Sequence, residues 1–347
     1  MIPSAVLATA VQQEGSFFFP VQASTNAARV DDIYYFIFWV SLVAFIAICA
    51  ATAWFAFRYR RSRVGMVPED SPHHSTAIEI VWSVVPAVLM VAMFWYGFVD
   101  YVDRRTMPED AMRIDVSAQK WAWSFRYPNG AQVPGVLGTI GDNQDPTWSK
   151  SGLHVPPNEP VVFRIMSNDV LHSFSVPSMR VKMDAVPGRY TYAWFEAMTP
   201  GVYDLYCTEY CGQQHSQMLS KVIVHPSRAD YDSWVASQVI EKEPSIAYGE
   251  YLYNLKGCVA CHSVDGNVIV GPSFLGSYGS ERNLADGGTV TIDENYIRQS
   301  ILDPMSQIAL KPDGGNYIGV MPAFQGQVDD VDLAALIEFI KAQNTQD

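Results

Sequence analysis

Two long apolar runs limit what this chain can fold into. Ile33 to Phe57 (IYYFIFWVSLVAFIAICAATAWFAF) carries no charge, and Ile78 to Val99 (IEIVWSVVPAVLMVAMFWYGFV) carries one acid, Glu79, and one proline, Pro86. As a helix the first run measures roughly 37 Å at about 1.5 Å per residue. That covers a hydrocarbon core of about 30 Å with some tilt. Two buried core helices of a water-soluble protein are the alternative, and runs this long and this free of charge argue against it. The connection between the runs carries Arg58, Arg60, Arg61 and Arg63. By the positive-inside rule it faces the cytoplasm, so both termini lie outside. The first residues hold a small-residue site at Ala8-Thr9-Ala10 without a basic leader. A signal-peptide remnant and a short external tail both remain open there.

The rest reads as protein in water. A length of 347 residues allows two or three domains. The expected division is an external segment over 1–32, a transmembrane hairpin over 33–101, a first external domain over 102–226, a linker over 227–244 and a second external domain over 245–347. The net charge of −13 argues against a nucleic acid or an anionic lipid surface as partner. Five cysteines are present. Cys49 lies inside the first apolar run as packing. Cys207 with Cys211, and Cys258 with Cys261, form two close pairs, which suits metal or cofactor chemistry better than a disulfide framework.

From Met112 to about His225 short alternating runs predict strands: MRIDVSAQ, WAWSFRYP, VVFRIMS, SFSVP, RYTYAWFEA, GVYDLYC and SKVIVH. Pro128-Asn129-Gly130, Pro187-Gly188 and Pro200-Gly201 punctuate them as turns. A β-sandwich or barrel follows. Its last loop reads Cys207-Thr208-Glu209-Tyr210-Cys211-Gly212-Gln213-Gln214-His215-Ser216-Gln217-Met218, a C-x3-C-x3-H-x2-M spacing. Upstream, Asp169-Val170-Leu171-His172-Ser173-Phe174 offers a second histidine. Thiolate, imidazole and thioether together favour copper over zinc. A mononuclear blue-copper site uses one cysteine; the second one here suits two copper ions bridged by two thiolates. A disulfide, or zinc on two cysteines and two histidines, stands as the competing reading.

These residues resemble the copper-carrying subunit II of cytochrome c oxidase over roughly Ser24 to Pro226. The hairpin, Trp121-Ala122-Trp123, DVLHSF, DAVPGRYTYAWF and CTEYCGQQHSQM occur in that family's order. The resemblance implies a cupredoxin-like Greek-key barrel with a binuclear CuA centre. It implies His172, Cys207, Cys211, His215 and Met218 as side-chain ligands, and Glu209 as a ligand through its backbone carbonyl. The Glu209 carboxylate would face a magnesium ion at the subunit I boundary. Trp121 matches the family's exposed tryptophan through which electrons arrive; the aromatic that usually follows it is Ala122 here. Glu79 matches the acid where a proton pathway of subunit I begins. An acid in a spanning segment is a functional candidate, although at the start of its helix it also suits the positive end of the dipole.

The second external domain opens on Lys256-Gly257-Cys258-Val259-Ala260-Cys261-His262. C-x-x-C-H is the attachment signature of a c-type haem, with the histidine as proximal ligand. Helices are expected over Tyr231 to Ile240, Ile246 to Leu255, Glu294 to Leu302 and Val331 to Ala342. Gly271-Pro272 resembles the loop that packs near the proximal histidine in class I cytochromes c, which implies an all-α domain. A distal methionine should follow. Met321, in the loop before the last helix, matches the family's placement better than Met305, which reads as packing. A thioredoxin-like dithiol competes, but neither the adjoining histidine nor the missing βαβ pattern suits it. From Ser245 onward 13 acids stand against 5 bases, giving −8, which suits a donor with a basic face or serves solubility alone.

Together the parts imply a wire from an external donor through haem c to CuA and on to haem in subunit I, where oxygen is reduced and protons are pumped. The implied partners are subunits I and III, and a donor such as a cytochrome c or a quinol-oxidising complex. The implied setting is the bacterial inner membrane, with both cofactor domains on the periplasmic side. A structural subunit like that of quinol oxidases would have lost the ligand set. A copper-assembly protein would have little use for a covalent haem. Nitrous-oxide reductase shares the copper loop but needs no anchor.

Overall fold

The computed structural model describes residues 15–64, 74–135, 151–311, 314–317 and 321–344; Ala8-Thr9-Ala10 lies outside them. The chain divides into two compact units, Asn26–Met107 and the remainder.

The first unit is a helical hairpin: α1 (Ala27–Arg58), a single turn α2 (Arg61–Val64) and α3 (Thr76–Arg105). Each long helix contains an apolar window of which none is buried by protein. Apolar surface on that scale is not left facing water, so a soluble core helix is excluded and lipid is the solvent these faces suit. Phe36 meets Tyr96 edge-on at 5.8 Å between the helices. At the end where α1 meets α2, guanidinium groups lie over aromatic rings: Arg58 over Tyr59, and Arg60 and Arg63 over Phe57. Aromatic rings and long cationic side chains of this kind belong to the headgroup layer.

The second unit is built on two five-stranded sheets. One runs β3-β2-β1-β5-β8 and the other β4-β10-β9-β6-β7. The strands are β1 Met112–Gln119, β2 Ala122–Arg126, β3 Gln132–Gly135, β4 Leu153–Val155, β5 Pro160–Ser167, β6 His172–Val176, β7 Val181–Ala185, β8 Thr191–Glu196, β9 Gly201–Cys207 and β10 Leu219–Val224. Alternation does the work. In β1, Ile114, Val116 and Ala118 point inward and are fully buried, while Asp115 faces out to a bidentate ion pair with Arg164, directly opposite on β5. Phe163 packs at 5.5 Å from Phe174 and 4.7 Å from Phe195 and fills the space between the sheets. The expected strands are all present. The sequence reading missed β3, β4 and β7, which are short or broken in pattern by Pro134, Lys182 and Asp184.

The helix expected over Tyr231 to Ile240 begins three residues earlier and ends three earlier, as α4 (Arg228–Ser237), capped by Ser227. It clamps the barrel's far end. Trp234 stacks on His154 at 3.6 Å, and His154 Nε2–H donates to the Ser151 carbonyl. That leaves His154 Nδ1 to accept from His225 Nε2, 2.9 Å away.

The C-terminal region is helical: α5 (Ile246–Leu255), α6 (Glu294–Leu302) and α7 (Asp330–Ala342), with a small antiparallel pair, β11 (Glu281–Asn283) and β12 (Thr289–Thr291). Gly249 allows α5 to cross α7 closely, since a Cβ there would sit 2.1 Å from the Ala335 carbonyl oxygen. This region packs against the barrel within one compact unit. Ala260, Cys261 and Val270 join the barrel's apolar cluster beside Trp121.

The paired histidines carry a pH dependence. Burial pushes the His225 imidazole down from 6.5 to about 4, so the folded state favours its neutral form. Stability from this group is present above pH 6.5 and is lost as pH falls toward about 4, up to roughly 3 kcal/mol. Denaturant unfolding followed by tryptophan fluorescence should show this decline, and His225→Phe should flatten it across that window.

Candidate metal centre and haem pocket

The end of β9 and the start of β10 are ladder neighbours, with Leu219 opposite Tyr206. The loop between them must therefore close on itself, and it brings Cys207 beside Met218, whose carbonyl accepts from the Cys207 N–H at 3.2 Å. His172 opens β6, the strand on the other side of β9. Four ligand types converge. Cys207 Sγ lies 3.8 Å from Cys211 Sγ and 3.9 Å from His172 Nδ1. Cys211 Sγ lies 3.4 Å from His215 Nδ1 and 4.0 Å from Met218 Sδ. The Glu209 carbonyl oxygen lies 3.3 Å from Cys207 Sγ. All six residues named from the sequence thus meet at one point, with His172, Cys207, Cys211 and Met218 buried and Glu209 and His215 half-buried.

A sulfur separation of 3.8 Å is far beyond the ~2.05 Å of a disulfide, and both thiols are free. It suits two thiolates that share metal, at metal–sulfur bonds of about 2.3 Å. The two thiols ionise unequally. The hydrogen bond from Cys211 pulls Cys207 down to about 3, and that same bond with burial pushes Cys211 up. The metal-free pair therefore holds one proton between two sulfurs, and a cation must displace it. The soft donor set, two thiolates with two imidazoles and a thioether, fits copper.

Asp169 orients the site, a role the sequence reading did not assign although DVLHSF contains it. Its carboxylate accepts from the backbone N–H of Lys120 at 2.7 Å and of Val170 at 2.6 Å, and contacts His172 Nε2 at 2.9 Å. Nε2–H is thereby committed to Asp169, and Nδ1 is free to face the sulfurs. Burial opposes charge on Asp169, but the His172 and backbone hydrogen bonds outweigh it and hold its carboxyl below the usual range.

Trp121 caps the loop. Its indole N–H donates to the Cys211 carbonyl at 3.1 Å, and its ring lies over Gly212, where φ is +120° and an added Cβ would be 3.1 Å from the ring. The family's tryptophan is exposed, but here Trp121 keeps only 3% of its surface and shares its apolar cluster with Ala260, Cys261 and Val270. Trp123 is core, edge-on to His172 and Phe174. Glu79 sits at the N-terminus of α3, where its carboxylate accepts from the Ser75 N–H at 3.2 Å. A carboxylate there also suits the positive end of the helix dipole.

In the C-terminal region Cys258 and Cys261 flank a single 3-10 turn, and His262 follows. The His262 Nδ1–H donates to the Pro272 carbonyl at 2.8 Å, which leaves Nε2 as the free lone pair. The ring stacks on Phe274 at 4.6 Å. Gly271 makes room for it, since a Cβ there would lie 2.6 Å from the imidazole. Burial pushes the thiols up, Cys258 to about 12 and Cys261 to about 11. His262 faces an apolar cleft of about 800 Å³ lined by Phe274, Ile292, Ile297, Phe324 and Leu336, and an adjoining cleft of about 600 Å³. Met321 lines both clefts; Met305 lines only the second and is 49% exposed. Two thiols, a free imidazole nitrogen, an apolar slot and a facing thioether fit a covalent haem.

Replacing Asp169 with alanine removes the acceptor that fixes His172. Copper affinity should fall about 10–100-fold, read by competition with a chelator, while haem content stays at the wild-type level.

Three family models match in chain order. The transmembrane domain of cytochrome c oxidase subunit II matches 12–99, its periplasmic domain matches 112–225, and cytochrome c matches 246–344. The chain is 33% identical over 296 residues to cytochrome c oxidase subunit 2 of Alkalihalophilus pseudofirmus, covering 82% of this chain and 78% of that one. It is 34% identical over 233 residues to the alternative cytochrome c oxidase subunit 2 of Bradyrhizobium diazoefficiens, covering 62% and 82%. The crystal structure of the periplasmic domain of subunit II of cytochrome oxidase of Bradyrhizobium japonicum aligns at 27% identity and a TM-score of 0.35, over 38% of this chain and 96% of that one. With the anchor, the copper loop and the haem motif in one order, and a 33% identical relative spanning most of both chains, the protein belongs to the cytochrome c oxidase subunit 2 family and carries a cytochrome c domain at its C-terminal end.

Proposed function

We propose that this subunit conducts electrons from an outside donor through a haem c at Cys258, Cys261, His262 and Met321 to a binuclear copper centre at His172, Cys207, Glu209, Cys211, His215 and Met218, and then to a haem of subunit I. The observation that carries the reading is the placement of Trp121. Its indole bonds to the Cys211 carbonyl, and its ring belongs to the same buried apolar cluster as Ala260 and Cys261 of the haem motif. When bound, the two cofactors supply one-electron storage at either end of this contact.

The protein's own part is orientation and exclusion of water. Asp169 holds His172, Pro272 holds His262, and the buried faces around both sites keep the surroundings fixed and dry. Fixed surroundings lower the reorganisation that accompanies each transfer. A thioether at Met321 would raise the haem potential relative to a second imidazole. The Glu209 backbone carbonyl points into the sulfur cluster, which leaves its carboxylate for a magnesium ion at the subunit I boundary. Glu79 would serve at the mouth of a proton pathway of subunit I, and oxygen reduction coupled to proton pumping would occur in that subunit. Subunit III completes the complex. The acidic C-terminal region suits a donor with a basic face, either a cytochrome c or a docking segment of a quinol-oxidising complex. The setting is the bacterial inner membrane, with the arginine-bearing connection inside.

The purified complex should contain two coppers in this subunit that share one electron in the paramagnetic resonance spectrum, beside one low-spin c haem. A c haem without that copper signal would leave a tethered cytochrome on a structural scaffold. Met321→Leu should abolish the sulfur–iron absorption band and lower the haem potential. Met305→Leu should change neither, and the reverse pattern would exchange their roles.

A further inference from the structure

The contact between haem domain and copper domain is made by a few groups on short backbone segments. The Gln119 side-chain amide donates to the Lys256 carbonyl, one residue from the haem motif. The Lys256 ammonium bonds the Gln327 carbonyl at 2.7 Å, and the Gln327 side chain accepts from Asn168 at 3.1 Å. Tyr251 OH donates to the Gln132 carbonyl at 2.7 Å. In the middle, Gly257 meets Ala122. A Cβ on Gly257 would lie 2.6 Å from the Ala122 Cβ. An alanine Cβ is fixed to its backbone and cannot swing away, so the approach exists only because one residue has no side chain and the other has one carbon. Gly257 is also held at φ +71°, a conformation that glycine adopts without strain.

This contact stands beside Trp121 in sequence and in space. Ala122 follows Trp121, and Gly257 precedes Cys258. With the two segments together, Trp121 shares an apolar cluster with Ala260, Cys261 and Val270 and is shut off from solvent. A cleft at the copper loop is lined by Lys120, Trp121, Val170, Tyr210, Cys211 and Gln213, and Trp121 contributes to it from only 3% of its surface.

Resting on the two-cofactor reading above, we propose that the size-matched Gly257–Ala122 contact is the positioning device for internal electron transfer. It seats the haem motif on Trp121 and takes the surface that an outside protein would need to reach Trp121 directly. Outside donors therefore deliver to the haem domain alone. In the internal step one electron leaves the haem iron and one electron reaches the copper pair; no bond forms or breaks, and no proton is required.

The test uses the full holo-complex with Ala122→Phe as a wedge and Ala122→Ser as the conservative control. Two readouts are taken: hydrogen exchange of the segments 119–122 and 256–262, and the rate at which copper absorbance follows a flash reduction of haem c. In the wild type both segments should be protected. The wedge should raise exchange in both together and slow the transfer about tenfold or more, the scale of an overpacked contact, while the optical spectra of both centres stay unchanged. The serine variant should keep the wild-type rate. Should the wedge fail to assemble, the double variant Gln119→Ala, Tyr251→Phe opens the same contact more gently and is read the same way. A wild-type transfer rate in an opened variant, or free exchange of both segments in the wild type, overturns the docking proposal. A wild type without paired copper or without haem c sinks the earlier reading instead, so the two failures are told apart.

Discussion

The copper site depends on one backbone constraint, the antiparallel ladder between β9 and β10. Because Leu219 must lie opposite Tyr206, the eleven residues from Thr208 to Met218 have to leave and re-enter the sheet at adjacent positions. Cys207 and Met218 then become neighbours by necessity. Cys211 and His215 follow, since the loop is too short to carry them elsewhere. The ladder in turn rests on the buried aromatic layer between the sheets, Phe163, Phe174 and Phe195. Ligand geometry here is a consequence of strand pairing, and the loop has little freedom of its own.

The sequence showed the site well where chemistry was local. Two cysteines, a histidine and a methionine within twelve residues declare themselves by spacing, and so does C-x-x-C-H. His172 was offered as a second histidine upstream, but its place among the ligands came through the resemblance, because 35 residues separate it from Cys207 and only the fold joins them. The layered β fold was legible from alternation, except in β3, β4 and β7. Those strands are three to five residues long; β3 contains Pro134, and β7 carries Lys182 and Asp184. Too few residues remain in each to establish a period.

What the sequence did not show were contacts whose partners lie far apart along the chain. Trp121 was expected on an exposed surface, and it is buried in a cluster that includes residues about 140 positions later. Ala122 was noted as a missing aromatic; its reason became visible only when Gly257 was found against it. Helix α4 was expected over Tyr231 to Ile240, but the packing of its Trp234 on His154 was not. A single indole gives no periodic signal, so the stacking partner decides. Asp169 was within a quoted motif, three residues before His172, and an acid so placed before a ligand histidine is a cue that could have been taken.

The docking of α4 also sets the leash of the haem domain. Because α4 is fixed to the barrel up to Ser237 and α5 begins at Ile246, eight residues, Gln238 to Ser245, join the two helices, and Lys242 among them pairs with Asp329 and Asp332. Fully stretched they reach roughly 30 Å, about the width of a small domain. A haem domain that let go would search a small volume above its own seat, at an effective concentration on the order of millimolar. Return would be unimolecular and independent of how much protein the membrane holds. A shorter leash would forbid release and a much longer one would dilute it, so the length left over after Trp234 packs on His154 sets the reach of the haem domain.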